Sequence, residues 1–187
     1  MPETARLAIA SGRHHPEKRL PVIMEAVARA NRGRPPESQV GLYMIGDGLS
    51  RAKIDLKAAT IPQVHVAGQI RDTNRVATLL ASADVLLHGS GSETYGLAVA
   101  EALCCGTPIV VPDQGGAADF AGPGYSEVYA TGNVDAAAEA LLKLLARPED
   151  ALRAAAREAG AKVATMDAHF ENLFALYEKL VREKNRS

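Results

Sequence analysis

"ADVLLHGSGSETYGLAVAEALCCGTPIVVP", residues 83–112, holds two apolar runs separated by a glycine-rich loop and a helix-like segment. "ADVLLHG" (83–89) is a short continuous apolar run closed by Gly, the pattern of a strand buried on both faces. A helix is expected from about Tyr95 to Cys105, stopped by Gly106, because glycine takes the left-handed conformation that ends helices. "TPIVVP" (107–112) then reads as the next strand. A strand, a helix and a strand on short links form a parallel crossover unit. How often that unit recurs decides the fold.

It recurs along the chain. "RLAIASG" (6–12) is a strand ending in Gly, followed by a loop and a helix from about Pro21 to Arg32. Leu20, Val22, Ile23, Ala26, Val27 and Ala30 form one apolar face of that helix, and Pro21 suits its first turn. "VGLYMIG" (40–46) and "VHVAG" (64–68) are further strands, with a short helix near Ser50 to Ala59 between them. A helix begins at about Thr73, capped by Asp72 or Thr73, with Val76, Leu79 and Leu80 inward. "SEVYA" (126–130) is a weaker sixth strand, and helices are expected at 134–146, about 150–164 and about 168–184. These units predict an α/β chain, a doubly wound and mostly parallel sheet of about six strands with helices on both faces. Residues 1–187 read as a single domain with no internal repeat or boundary.

Composition narrows the function. Lys plus Arg is 21 against 22 Asp plus Glu, so no overall field points to nucleic acid or an anionic membrane. Aromatics are 4 % with no Trp, which argues against base-stacking surfaces. Cys104 and Cys105 are adjacent, lack metal-ligand spacing and are expected to be reduced core residues of a cytoplasmic protein. Neither a signal peptide nor an apolar run long enough to span a bilayer is evident.

In doubly wound sheets ligands bind outside the carboxyl ends of the strands. Those ends carry "SGRHHPEK", "GDG", "AGQIRD", "HGSGSE" and "PDQGG", five polar loops gathered on one edge. Arg13 and Lys18, beside a helix N-terminus, suit a diphosphate by charge and by free backbone N–H groups. Glu93 and Glu101 stand eight residues apart, about 12 Å along a continuous helix, with Glu93 at its mouth. Glu101 sits among apolar residues, where a carboxylate needs a partner or solvent. Thr94, Tyr95, Gly96 and Leu97 between them are expected to offer the first free N–H groups and the positive helix end. A sugar nucleotide fits: diphosphate at the N–H groups, ribose hydroxyls on Glu101, sugar hydroxyls near Glu93. His14 and His15 read as loop residues, while His88 borders the glycine loop and is the better candidate. Gly115 and Gly116 permit close approach to a ligand, and Asp119 either continues this rim or starts the next helix. "GDGLSR" (46–51) is a poor dinucleotide fingerprint, because Arg51 replaces the third glycine and no ribose-binding acid follows near 66–68.

Together "GRHHPEK", "YMIGDG", "VHVAGQI", the 83–111 stretch and the Gly115–Gly116 pair resemble the carboxyl-terminal domain of retaining GT-B glycosyltransferases, group 1 or family 4. The resemblance spans nearly the whole chain and includes the E-x7-E signature, Glu93 and Glu101; "HFENLFALYEKL" resembles the family's last helix. It implies a Rossmann-like fold and transfer of a glycosyl group from a nucleotide sugar, a UDP or GDP sugar, to an acceptor hydroxyl with retained configuration. Arg13 and Lys18 are implied to hold the donor diphosphate, Glu93 the donor sugar and Glu101 the ribose. Thr94, Tyr95, Gly96 and Leu97 are implied at phosphate and sugar, and Gln69 and Ile70 at the base. Glu93, Arg13 and Lys18 are the implied catalytic set, with no metal or other cofactor. Arg19 stands where the family has Gly, Tyr95 for the commoner Phe, and Asp119 for Glu; 122–133 lacks the frequent N-G-hydrophobic pattern. The family's preceding acceptor-binding domain is expected on another segment or subunit, so acceptor transfer by this chain alone is not expected. Contact of the parent enzyme with the inner membrane face stays open. A nucleotide-sugar 2-epimerase half and a non-catalytic binding module are the alternatives.

Overall fold

The computed structural model describes residues 5–184. Six strands, β1 (Arg6–Ser11), β2 (Val40–Ile45), β3 (Val64–Gly68), β4 (Val85–Leu87), β5 (Ile109–Pro112) and β6 (Ser126–Tyr129), form one sheet in the order β3-β2-β1-β4-β5-β6. Every neighbouring pair is parallel. The first three strands wind outward one way from β1 and the last three the other way from β4. The chain reverses between β1 and β4, and a crevice opens there at the carboxyl ends.

Side chains along each strand alternate between two cores because the strand period is two. Ala8 and Ala10 of β1, Leu42 and Met44 of β2, and Val85 and Leu87 of β4 face α1 (Leu20–Ala30) and α5 (Val134–Leu145). Ile9, Leu86, Ile109 and Val111 face the other way, toward α3 (Thr73–Ser82), α4 (Leu97–Cys104) and α6 (Glu149–Gly160). Both faces are therefore covered, which is why the strands read as unbroken apolar runs. Helix α2 (Arg51–Ala58) joins the first face through Ile54. On α1, Met24 is buried beside Leu20, Ile23, Ala26, Val27 and Ala30, whereas Val22 is half-buried. On α3 only Leu80 is buried; Val76 and Leu79 lie half-exposed, and Asp72 caps the helix by accepting from Asn74 N and Arg75 N.

Two expectations are corrected. Cys104 is exposed and so is not a core residue, while Cys105, just past the end of α4, is only half-buried, packed against the second core. Helix α4 starts at Leu97 rather than Tyr95, because Gly96 sits at its N-cap with φ 99° and turns the chain sharply into it. The last helix, α7 (Met166–Lys184), buries no residue, and Phe174, Tyr177 and Val181 are more than half exposed. Among the described residues no helix is long and apolar enough to cross a membrane.

Candidate functional site

The strand-end loops are tied to each other before any ligand is considered. Gly12 N donates to Ile45 O at 3.0 Å, His14 N to Asp47 O at 2.8 Å, and Ser50 N to His14 O at 2.9 Å. These bonds press the loop after β1 onto the loop after β2. A Cβ at Gly46 would lie 1.9 Å from Gly12 O, so backbone contact requires glycine there. The glycines of "GDG" thus serve loop packing, which accounts for a motif that only partly matched a dinucleotide fingerprint. His14 is correspondingly buried rather than an open loop residue, and neither ring nitrogen bonds to a described residue. Burial, with Arg51 nearby, holds its pKa below the ordinary imidazole value.

Glu93 is fixed in the same manner from the other side. Its carbonyl accepts from Gly116 N at 2.8 Å. A Cβ on Gly116 would meet Thr94 O at 2.5 Å, so this glycine lets the loop after β5 close on the Glu93 loop. The close approach expected of Gly115 and Gly116 is therefore to protein backbone. Asp113 steadies the same edge, accepting from Thr131 N at 2.9 Å and from Thr131 Oγ1 at 2.6 Å.

Across the crevice the loop after β1 runs through a one-turn helix, Pro16–Lys18, that turns Lys18 toward β4. Lys18 Nζ donates to Glu93 Oε1, joining residues 75 apart in the chain. Both side chains are mostly buried, 19 % and 16 % exposed, so the pair is far better defined than a surface ion pair. Lys18, Glu93, Thr94, Tyr95, Gly96, Leu97 and Glu101 line one cavity of about 280 Å³ with Ser11, Gly12 and Ala98. The structure thus brings Lys18, both glutamates and the helix start together.

The arrangement differs from the sequence-based picture in several details. Because α4 begins at Leu97, Glu101 lies only four residues into it, about 6 Å along the axis, and Glu93 lies outside the helix altogether. Val99 and Ala100 both donate to Gly96 O, so the N–H groups ahead of the helical ladder are those of Leu97 and Ala98, displaced from the expected 94–97. Thr94 and Tyr95 form an exposed non-helical loop, with Tyr95 edge-on to Phe120 at 5.1 Å. Glu101 has no cation within ion-pair distance among the described residues, and desolvation raises its carboxyl above the usual carboxylate range.

Arg13 is not part of this cluster. Its side chain is 73 % exposed and lies 3.8 Å from Glu17. With Gln69 and Ile70 it lines a wider cavity of about 910 Å³ between the ends of β1, β2 and β3. The two cavities share Ser11 and Gly12, so a ligand could span both. Asp119 faces neither; it lines a separate cavity against α6.

His88, just past the end of β4, lines neither cavity but is buried against Glu93. Its Nε2 lies 3.4 Å from Glu93 Oε1, and its carbonyl accepts from the buried Tyr129 O–H at 2.6 Å. Burial pushes the imidazole down to about 4, with Glu93 opposing and Lys18 reinforcing the shift, so the ring is neutral at physiological pH. Sequence reasoning missed the Tyr129 buttress, since nothing local marks two residues 41 apart as partners. Among the described residues no group of three or more His, Cys, Asp or Glu is placed to hold a metal ion.

A GDP-mannose-dependent alpha-(1-6)-phosphatidylinositol dimannoside mannosyltransferase of Mycobacterium tuberculosis (strain ATCC 25177 / H37Ra) is 39 % identical over 116 residues, 62 % of this chain and 30 % of the relative. A D-inositol 3-phosphate glycosyltransferase of Mycobacterium avium (strain 104) is 31 % identical over 168 residues, 88 % of this chain and 37 % of the relative. The matched region thus spans about a third of these relatives' length. Anabaena HepE, solved in complex with UDP, shares the fold: TM-score 0.76 at 19 % identity, over 94 % of this chain and 49 % of that one. The model of the family described as glycosyl transferases group 1 matches residues 1–163, so the chain belongs to that family.

Proposed function

We propose that this chain is the nucleotide-sugar donor domain of a retaining glycosyltransferase, which moves a glycosyl group from a nucleoside diphosphate sugar to an acceptor hydroxyl. The observation that carries the reading is the meeting of Lys18 and Glu93 across the switch-point crevice, in a cavity that also holds Glu101. A cation, the N–H groups of Leu97 and Ala98 and the positive end of α4 converge where a diphosphate would lie. Carboxylates on either side are acceptors for hydroxyls.

In this reading the base occupies the wide cavity by Gln69 and Ile70, and the ribose reaches Glu101 past Ser11 and Gly12. The diphosphate takes Lys18, and Glu93 grips donor-sugar hydroxyls. When the bond from the sugar C1 to the phosphate oxygen breaks, negative charge grows on the departing diphosphate. Lys18 and the helix N–H groups are oriented beforehand to stabilise it, the kind of electrostatic term that dominates many enzymatic barriers. Arg13, from the wide side, adds a more distant positive charge. The acceptor is bound by a further domain or partner subunit, and this chain alone does not complete acceptor transfer.

Calorimetric titration of the chain with GDP-mannose and with UDP-glucose tests the reading. Those donors are chosen because one similar protein is named for GDP-mannose and another is solved with UDP. Saturable binding of one of them at micromolar to millimolar concentration is expected; absence of binding by both and by their free diphosphates overturns it.

A further inference from the structure

Lys18 has two claims on it. In the structure it neutralises Glu93, yet a ligand diphosphate would draw the same ammonium away. Glu93 is only 16 % exposed, and a carboxylate that loses its counter-ion in such surroundings is costly unless another donor replaces it. One such donor faces it. His88 Nε2 lies 3.4 Å from Oε1, the same oxygen that Lys18 holds, and this nitrogen is buried without a hydrogen bond to any described residue. A shift of roughly half an ångström brings the two into hydrogen-bond range.

The imidazole cannot easily turn elsewhere. His88 N donates to Val110 O at 2.9 Å, its carbonyl receives the Tyr129 hydroxyl, and the residue is 6 % exposed. The charged and titratable groups around it are Lys18 from the loop after β1, Glu93 from its own loop and Tyr129 on β6. Among these, the carboxylate of Glu93 is the acceptor nearest Nε2.

We propose that His88 is a positioning residue for Glu93, donating from Nε2–H to Oε1 when Lys18 is engaged by a diphosphate. The inference rests on the donor-binding reading for its purpose, but the contact itself does not need a ligand to be measured. It makes Glu93 a carboxylate with alternating partners, held in place for sugar hydroxyls in both states. A neutral ring suits this, because an imidazolium beside Lys18 would repel the cation that must come and go.

The test uses two arms on the full chain. In the first, the Glu93 side-chain carboxyl is titrated by ¹³C NMR in Lys18→Met, which imitates withdrawal of the ammonium. Adding His88→Leu is expected to raise proton affinity about tenfold, and His88→Gln, whose amide nitrogen reaches a similar place, to restore most of it. Identical titration in Lys18→Met and in Lys18→Met with His88→Leu overturns the proposal. In the second arm, His88→Leu in the otherwise native chain is expected to weaken a nucleotide sugar about tenfold and the matching nucleoside diphosphate less than twofold. Equal loss for both ligands assigns His88 a general structural role and also overturns it. If the native chain binds no nucleotide, the donor reading falls while the first arm still decides the contact. Thermal denaturation of each variant checks folding, and His88→Ala, which also removes the Nε2 donor, takes the place of His88→Leu in both arms if that variant does not fold.

Discussion

The two cavities at the carboxyl edge of the sheet are built on opposite plans. Between β1 and β4 the space is about 280 Å³, and two of its charges, Lys18 and Glu93, are mostly buried and bonded to each other, while Glu101 is exposed. Between β1, β2 and β3 it is about 910 Å³, its backbone is locked by loop-to-loop hydrogen bonds, but its one lining guanidinium, Arg13, swings into solvent. The difference teaches where chemistry and where shape should matter. A narrow site with preset charges suits a group whose charge changes during reaction, while a wide rigid slot suits a flat group held by contact and backbone.

Lys18→Ala should break the narrow side most. Removing a charge-assisted bond from a mostly buried site costs about 2 kcal/mol, roughly a 30-fold loss of affinity for a nucleoside diphosphate. Calorimetry should show little change for the free nucleoside, and equal losses for both would contradict this division of labour. Glu101→Gln should come next, weakening the diphosphate ligand about tenfold because one anionic acceptor becomes a neutral amide. The same change should stabilise the fold near neutral pH. Desolvation raises the folded-state pKa of Glu101, so its ionisation opposes folding as pH rises through the carboxylate range. The stability gain of the variant should therefore be absent near pH 3 and complete by pH 7 in thermal melts.

This contrast between cavities was only partly legible in the sequence. The strands were, because two buried faces demand apolar runs at both parities, and Ala8, Ile9 and Ala10 supply them in consecutive positions. The pairing of Glu93 with Glu101 in one cavity was legible from spacing and resemblance. What failed was whatever depended on distant backbone. The start of α4 was misplaced because Gly116, twenty-three residues past Glu93, pins the 93–95 loop out of helical form. Arg13 and Lys18 looked equivalent as two cations in one loop, but Arg13 precedes the one-turn helix, and only Lys18, its last residue, is turned into the crevice.

Arg19 sharpens the point about that rotation. It follows Lys18 and is the only non-glycine among the described residues with positive φ, at φ 46° and ψ 36°. The left-handed conformation costs an L-residue roughly 1 kcal/mol, and glycine removes that cost while giving back part of it as unfolded-chain entropy. Arg19→Gly should therefore gain about 0.5 kcal/mol at most, a rise of ~1–2 °C in melting temperature for a chain of this size. Diphosphate affinity should stay within about twofold, since glycine keeps the same turn. A stabilised variant with strongly reduced affinity would instead give the Arg19 guanidinium a part in binding and make the narrow side richer in cations than described.

Arg13→Ala is the smallest expected effect and the one that discriminates best between the two plans. The side chain is exposed and its contact with Glu17, 3.8 Å away, is of the solvent-screened kind worth well under 1 kcal/mol. Its help to a bound diphosphate should be similar in size, a loss of about two- to threefold in low salt. That loss should shrink further as ionic strength rises and the screening length falls below the distance it acts over. The Lys18→Ala loss, arising in a site with little solvent, should change much less over the same range. Measuring both variants from 20 mM to 500 mM salt separates them, these concentrations being a rough bracket around the physiological screening length. If Arg13→Ala matched Lys18→Ala in size and in salt response, Arg13 would have to turn inward on binding, and the wide cavity would be as much a charge-handling site as the narrow one.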